Sequence, residues 1–356
     1  MSVSQGVGMD AEMQSAPQHR MRAPLILLGL GAVLAVLSVS ALLLGRYDLA
    51  PGEGLRAVLS WLGLADAQSV DPTLLALVSE VRAPRVLAAI LIGAALAVSG
   101  TAFQALFMNP LVSPGVLGVL SGAAFGAALG MLLFEHWLWI QASAFVFGLI
   151  AVGAALWLAR QGGVTSLTML VLGGMISGAM FAAFLSIVKY VADPYNTLPA
   201  IVYWLMGSLA ILDAQTLVWL APLLAAGIFA LSLFGHALNV LSMGDDEARA
   251  LGFHVERTRN AVIVLATLLG AMTVVLAGMI GWVGLVIPHI ARLLFGADNR
   301  LLLPASALLG GIYLLLVDGV ARLALSVEIP LGILTALIGL PVFAWALRRV
   351  QRGWAG

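Results

Sequence analysis

This 356-residue chain has no cysteine, a single lysine and little charge of either sign, charged residues making up 10% of it. The lack of thiols excludes disulfides, thiolate metal sites and cysteine nucleophiles. The one lysine, Lys189, stands in SIVKYVAD. A phosphate-cradling loop needs glycines followed by Lys and then Ser or Thr, so the chain does not bind and hydrolyse ATP by that route. The formal net charge is zero, which argues against a nucleic-acid partner. What the chain has in abundance is apolar surface. Hydrophobic residues make up 62% of it, and a soluble domain with the usual ~25% charged residues could not hide that much. The fold class read from this balance is an all-α integral membrane protein.

Runs of about 20 apolar residues suffice to cross a bilayer as helix. Ten are read, near 24–45, 84–107, 114–134, 138–159, 167–189, 214–234, 260–280, 282–296, 302–322 and 331–348. Segment 196–212 is apolar but broken and reads as a short re-entrant or interfacial helix. Residues 1–22 form a polar tail, 23–350 one transmembrane domain and 351–356 a short second tail. With the N-terminus inside, eleven basic residues fall on the inner side (Arg20, Arg22, Arg160, Arg249, Arg257, Arg259, Arg292, Arg300, Arg348, Arg349, Arg352). Six fall outside (Arg46, Arg56, Arg82, Arg85, Lys189, Arg322). The excess of positive charge inside places both termini in the cytoplasm, and Trp61, Trp137 and Trp139 near the outer interface.

Between two apolar segments lies a charged, helix-capable island, Ser242–Arg259, SMGDDEARALGFHVERTR. Asp245, Asp246 and Glu247 would complement the dipole at a helix start, and Gly252 reads as a stop. Two short helices along the membrane are expected over 240–257. Such a module reads as a handle for a soluble partner that supplies the driving force. An ion-driven carrier would place ionisable groups well inside its spans. Only Asp318 does so clearly, with His289 near one span end and Asp213 at a boundary.

Other features carry less. LAVSG at 96–100 precedes Pro110 as VVLAG at 274–278 precedes Pro288, an echo suggesting an inverted repeat or shared small-residue composition. Gly118, Gly122, Gly126 and Gly130 recur at spacing four, which permits close helix packing. Pro288-His289 is a weak metal signal, since one histidine lacks a partner ligand. Asp318 and Arg322 at i,i+4 read as an ion pair. Met175, Met180 and Met206 read as core packing, with a soft ligand lining as the alternative.

RAPRVLAAILIGAALAVSGTAFQALFMNPLVSPGVLGVLSGAAFG (82–126) is similar to the second and third spans of permeases for iron chelates, haem and vitamin B12, the ten-span subunits of type II ABC importers. LSMGDDEARALGF (241–253), LAGMIGWVGLVIPHIARLLFG (276–296), LLLPASALLGGIYLLLVDGVARLAL (301–325) and EIPLGILTALIGLPVFAWALRR (328–349) extend the resemblance in order. It implies a vitamin B12 permease-like fold and a homodimer in the bacterial inner membrane. Two ATP-binding subunits would bind below, and a periplasmic substrate-binding protein above. No cofactor is implied on this chain; ATP and magnesium belong to the ATPase, and the chain performs no covalent chemistry.

The resemblance also implies roles, residue by residue. Arg82, Arg85 and Arg322 would receive acidic groups of the binding protein, a task that suits the bidentate guanidinium. Gly244, Asp245, Asp246, Glu247, Ala248, Arg249, Ala250, Leu251 and Gly252 would couple to the ATPase. Asn109 and Leu111, in the proline-stiffened turn NPLVSP, would form a cytoplasmic gate with Ser166, Leu167 and Thr168. A ferric siderophore is ranked first as substrate, haem second and cobalamin third. The rival from another class is an ion-coupled secondary transporter.

Overall fold

The computed structural model describes residues 6–354 except 48–49, 67–69, 162–163 and 166. The chain folds as α1 (Gly6–Leu43), α2 (Pro51–Trp61), α3 (Pro72–Ala76), α4 (Ala83–Leu106), α5 (Val119–Leu133), α6 (Trp137–Ala159) and α7 (Leu167–Val191). It continues with α8 (Thr197–Leu205), α9 (Ala214–Leu233), α10 (Gly235–Leu241), α11 (Asp245–Ala250), α12 (Val255–Ala277), α13 (Val283–Phe295), α14 (Asn299–Leu323) and α15 (Leu331–Trp354). One two-residue antiparallel ladder, Arg160–Gln161 with Val164–Thr165, joins α6 to α7.

Among the described residues seven segments are long and apolar enough to cross a membrane, and Val119–Leu133, Val283–Phe295 and Leu331–Trp345 are shorter apolar helices. Seven and three make the ten expected. The broken segment 196–212 holds the short helix α8. Its irregular exit is tolerated because other backbone satisfies it. Ser208 N–H donates to Ala277 O at 2.9 Å, Gly207 O accepts from Leu331 N–H at 2.8 Å, and Met206 O accepts from Gly332 N–H at 3.0 Å.

The long buried helix is the axis of the protomer. Pro72–Leu106 forms one 35-residue segment, 83% buried. It contains a π turn at Leu77–Arg82, in which Ala83 N–H reaches back to Val78 O. The cause is local: Pro84 has no N–H to offer to the preceding turn, and the extra residue absorbs the mismatch. Around this axis α14, α12, α13, α9 and α1 pack on one side, while α5, α6 and α7 form a second group.

Glycines set how near the backbones come. A Cβ on Gly93 would fall on the carbonyl of Gly310, one on Gly310 would fall on that of Gly93, and one on Gly100 would fall on that of Gly284. Along α5, Gly122 faces Phe147 and Ala151, Gly126 faces Ser143, and Gly130 faces Ile140. The spacing-four glycines are therefore packing positions. The LAVSG and VVLAG echo does not extend to local geometry. Gly100 is internal to α4, whereas Gly278 ends α12 with φ +69°.

Three boundaries depart from expectation. The island holds one short helix, α11; residues 240–241 end α10, and 255–257 already open α12. Pro114–Leu117 is a 3-10 turn closed by Gly118 at φ +82°, so the third span begins at Val119. Helix continues into both polar tails, from Gly6 in α1 and to Trp354 in α15. Leucine at Gly93 or Gly100 should abolish the monodisperse peak of detergent-extracted protein in size-exclusion chromatography. Leucine at Gly153, which has nothing within 4 Å, should leave that peak intact.

Candidate functional site: a charged rim and a polar handle

The two ends of the bundle carry different chemistry. At one end, the last carbonyls of α1 have no partner within their own helix. Arg82, 4% exposed, supplies it: its guanidinium donates to Leu42 O and Leu43 O at 2.8 Å each and to Tyr47 O at 2.7 Å. A Cβ on Gly45 would lie 2.7 Å from the Arg82 guanidinium, so that position must stay small.

Next to it, Arg85 binds two carboxylates. Its Nη2 lies 2.9 Å from Asp318 Oδ1 and 2.8 Å from Glu328 Oε2. Asp318, fully buried on α14, also pairs with Arg322 Nε at 3.0 Å, and Arg322 Nη1 reaches Leu44 O at 3.4 Å. Arg46 donates to the carbonyls of Arg322 and Leu325. The i,i+4 pair expected at 318 and 322 is thus present within a larger network that ties α1, α4, α14 and the approach to α15. None of Arg82, Arg85 and Arg322 stands free, and Arg85 with 12% side-chain exposure is the most accessible of the three, against 7% for Arg322. Within this network Arg46, Arg82, Arg85 and Arg322 stand against Asp318 and Glu328, with Glu80 exposed on the same turn as Arg82.

The handle lies at the opposite end. α11 opens after Gly244, whose φ of +124° only glycine adopts readily. Asp245 accepts from Arg259 Nη2 at 2.8 Å, and Arg259, 5% exposed, also bonds Glu256 at 3.1 Å. Ala248 is fully buried, while Asp246, Glu247, Arg249 and Ala250 face out. Arg249 bonds Asp246 at 2.9 Å in the open, where such a pair adds little. Leu251 and Met243 are 59% and 64% exposed, an apolar edge on a charged helix. Gly252, at φ +83°, makes the turn into α12. At its base α10 is clamped to the start of α14. Asn239 Nδ2 donates to Asp298 Oδ1 at 2.6 Å, Asn299 N–H donates to Asn239 Oδ1 at 2.9 Å, and Arg300 meets His236 at 2.6 Å.

The gate segment shares the handle's end. Asn109 Oδ1 accepts from Leu111 N–H at 2.9 Å, bending the chain after Met108 at φ +48°. Asn109 and Leu111 are exposed, and Leu167 and Thr168 open α7 at the protomer surface. Within the protomer no bond joins the two groups among the described residues, and Ser166 lies outside those residues. A cleft of about 610 Å3 lies beside Asn109, between Gln104 and Arg292.

His289 is 6% exposed with its ring edge-on to Phe343 at 6.0 Å. It is packed inside rather than offered to a soluble partner. No group of three or more His, Asp or Glu capable of holding a metal occurs among the described residues. Met175, Met180 and Met206 are 62%, 42% and 38% exposed, so they are not protomer core, as expected from the sequence, but surface.

Seven long and three short apolar helices among the described residues define a multi-pass membrane protein. The chain belongs to the FecCD transport family, which it matches over residues 33–349. It is 41% identical over 332 residues to the molybdate import system permease protein MolB of Haemophilus influenzae, covering 93% of this chain and 97% of that one. It is 36% identical over 352 residues to the vitamin B12 import system permease protein BtuC of Salmonella arizonae, covering 97% and 100%. Among solved structures, the inward-facing conformation of a metal-chelate type ABC transporter superposes with a TM-score of 0.82 at 38% identity, covering 92% of this chain and 99% of that one. The protein is therefore an ABC importer permease of the bacterial inner membrane, in a family that works with ATPase and binding-protein partners.

Asp318 neutralises guanidiniums that have left water, so Asp318→Asn should cost about 3–5 kcal/mol, read as a lowered midpoint of thermal unfolding in detergent. Glu328 adds a pH dependence. Partial burial raises its carboxyl, but the Arg85 bonds outweigh that and leave it below its usual range. The stabilisation is then complete above the ordinary glutamate range near 4.3 and fades as pH falls through the lower folded value. Glu328→Gln should flatten that acid limb.

Proposed function

We propose that two copies of this chain form the translocation pathway of an importer for an iron chelate, a ferric siderophore or haem. Both termini and the handle face the cytoplasm in this reading. The loaded periplasmic protein docks on the rim through Arg85 and Arg322, with Arg82 holding the end of α1 in place beneath them. ATP and magnesium act on two separate ATPase subunits, whose closure is received by Gly244–Gly252. Asn109 and Leu111 with Ser166, Leu167 and Thr168, from both copies, close the pathway on the inner side.

The observation that carries the substrate class is the exposed face of α7. From Leu167 to Val188 it has no charged residue. It presents Leu172, Met175, Ile176, Met180 and Phe184, all between 39% and 62% exposed. Polarisable thioethers and an aromatic ring suit a bulky, partly apolar cargo better than a bare oxyanion, which calls for fixed cations or N–H donors. A second reading, molybdate, is favoured by the 41% identity to the Haemophilus permease.

Reconstitution in liposomes with the cognate binding protein and ATPase separates them. ATP-dependent uptake of a ferric siderophore or haem is expected, and uptake of molybdate or cobalamin alone would overturn the chelate reading. In the same vesicles Ala250→Trp, on the exposed side of α11, should leave insertion and basal ATP hydrolysis unchanged. Uptake per ATP should fall several-fold. Normal stoichiometry in that variant would dissociate α11 from coupling.

A further inference from the structure

One cavity on the flank of the bundle has walls of two kinds. It encloses about 1030 Å3 where α6 and α9 begin and α12 ends, at the level of the charged rim. Its polar end holds Asp213, Thr216, Gln141 and Trp137, and its deeper wall includes Phe145 and Leu223.

The polar end is chemically incomplete. The Asp213 carboxylate accepts from Thr216 N–H at 2.9 Å and lies against the Thr216 hydroxyl, which is also 2.9 Å from Gln141 Oε1. That hydroxyl has one proton for two acceptors. Thr216 holds the Asp213 carboxyl below its usual range, and among the described residues no arginine, lysine or histidine forms a salt bridge with it, His136 on the same cavity wall included. The indole N–H of Trp137 is buried without an acceptor. The carboxylate caps the start of α9 and lines the cavity, which leaves it open to a cation. The cavity therefore offers a cation one charged acceptor, Asp213, while the Trp137 N–H is closed off from it.

Its depth matches one leaflet. Asp213 to Leu223 is ten residues along α9, about 15 Å at 1.5 Å per residue. That is half of the roughly 30 Å hydrocarbon core. Only 17% of the α9 window is buried, and Trp219, which also lines the cavity, is 77% exposed. The cavity therefore opens sideways between α6 and α9, toward lipid.

We propose that this cavity binds one phospholipid with a primary-amine headgroup. Its ammonium sits on Asp213, and one acyl chain lies along Phe145 and Leu223. The assignment needs the membrane fold alone and is independent of the transported substrate. A trimethylated headgroup is cationic but has no N–H to donate, and a glycerol headgroup has no cation, so the site separates three lipids of equal chain length.

Native mass spectrometry of the detergent-purified protein, titrated with phosphatidylethanolamine, phosphatidylcholine and phosphatidylglycerol of matched chains, tests this. The wild type should retain the ethanolamine lipid several-fold over the other two. Asp213→Asn keeps a helix N-cap acceptor while removing the charge, and should erase that preference. Ala142→Trp, which fills the cavity from α6, should lower retention of all three. Equal retention by the wild type, or an unchanged preference in Asp213→Asn, overturns the proposal. Disulfide cross-linking of Leu223→Cys between two copies in native membranes also overturns it, assigning this flank to a second protomer.

Discussion

In hydrocarbon, apolar side chains gain little by leaving lipid for one another, so a membrane bundle coheres through how near its backbones approach. Gly93 and Gly310 make that approach reciprocal, each occupying the space a Cβ on the other would need. A Cβ on Gly100 would likewise fall on the Gly284 backbone, and one on Gly284 would fall on Leu96 O and the Pro114 ring. These contacts fix α14 and α13 on α4, and the remaining geometry follows. With α14 seated, Asp318 falls between Arg85 and Arg322 at one end, and Asn299 falls beside Asn239 at the other. Without that closeness, Asp318 would be a carboxylate in lipid, among the most costly groups a span can carry.

The same helix connects the two ends that the transport reading needs to connect. α14 has 25 residues, so it extends about 37 Å, more than the hydrocarbon thickness. Its first turn is clamped to α10 and its last turn holds the rim. In that reading a force applied to the handle reaches a helix, interrupted by Pro304, whose far end is pinned by charge-assisted bonds to α4 and α1. Buried ion pairs contribute little net stability compared with apolar packing, but they resist being broken one partner at a time. That property suits a joint that must move as a unit.

Much of this was legible in the sequence, and the boundary between legible and illegible is physical. Long spans register in hydropathy because the bilayer imposes a length: 84–107 against Ala83–Leu106, and 167–189 against Leu167–Val191. α12 was misjudged at its start because Glu256, Arg257 and Arg259 are good helix formers outside the membrane, and hydropathy reports where lipid begins, not where helix begins. The pair at 318 and 322 is local and was readable. Its extension to Arg85 and Glu328 joins residues more than 200 positions apart, and no periodicity encodes that. Arg82 was read as a charge on display, whereas the unpaired carbonyls of α1 draw it inward. The three methionines were misassigned because lipid and protein interior select the same residues, so an apolar face does not announce which of the two covers it.

That ambiguity bears on how the protomer is completed. α9 and α7 are both poorly covered, with 17% and 28% of their windows buried, yet their exposed faces differ in chemistry. α9 presents Val218, Trp219, Leu223, Phe229 and Leu233, all at least 57% exposed, beside a cavity with one unpaired carboxylate. Branched and aromatic groups of this kind lose nothing against acyl chains, and the carboxylate lies at the start of the helix. α7 presents flexible methionines next to glycines, its Gly174 and Gly178 packed on the turn that ends at Gly118. A face of adaptable thioethers, held to the bundle by close backbone contact behind it, can meet a second protein surface or a passing solute without reshaping the helix. Two apolar faces of one protomer are thus distinguished by what their side chains can adapt to, with lipid suited to the first and a partner copy around a pathway suited to the second.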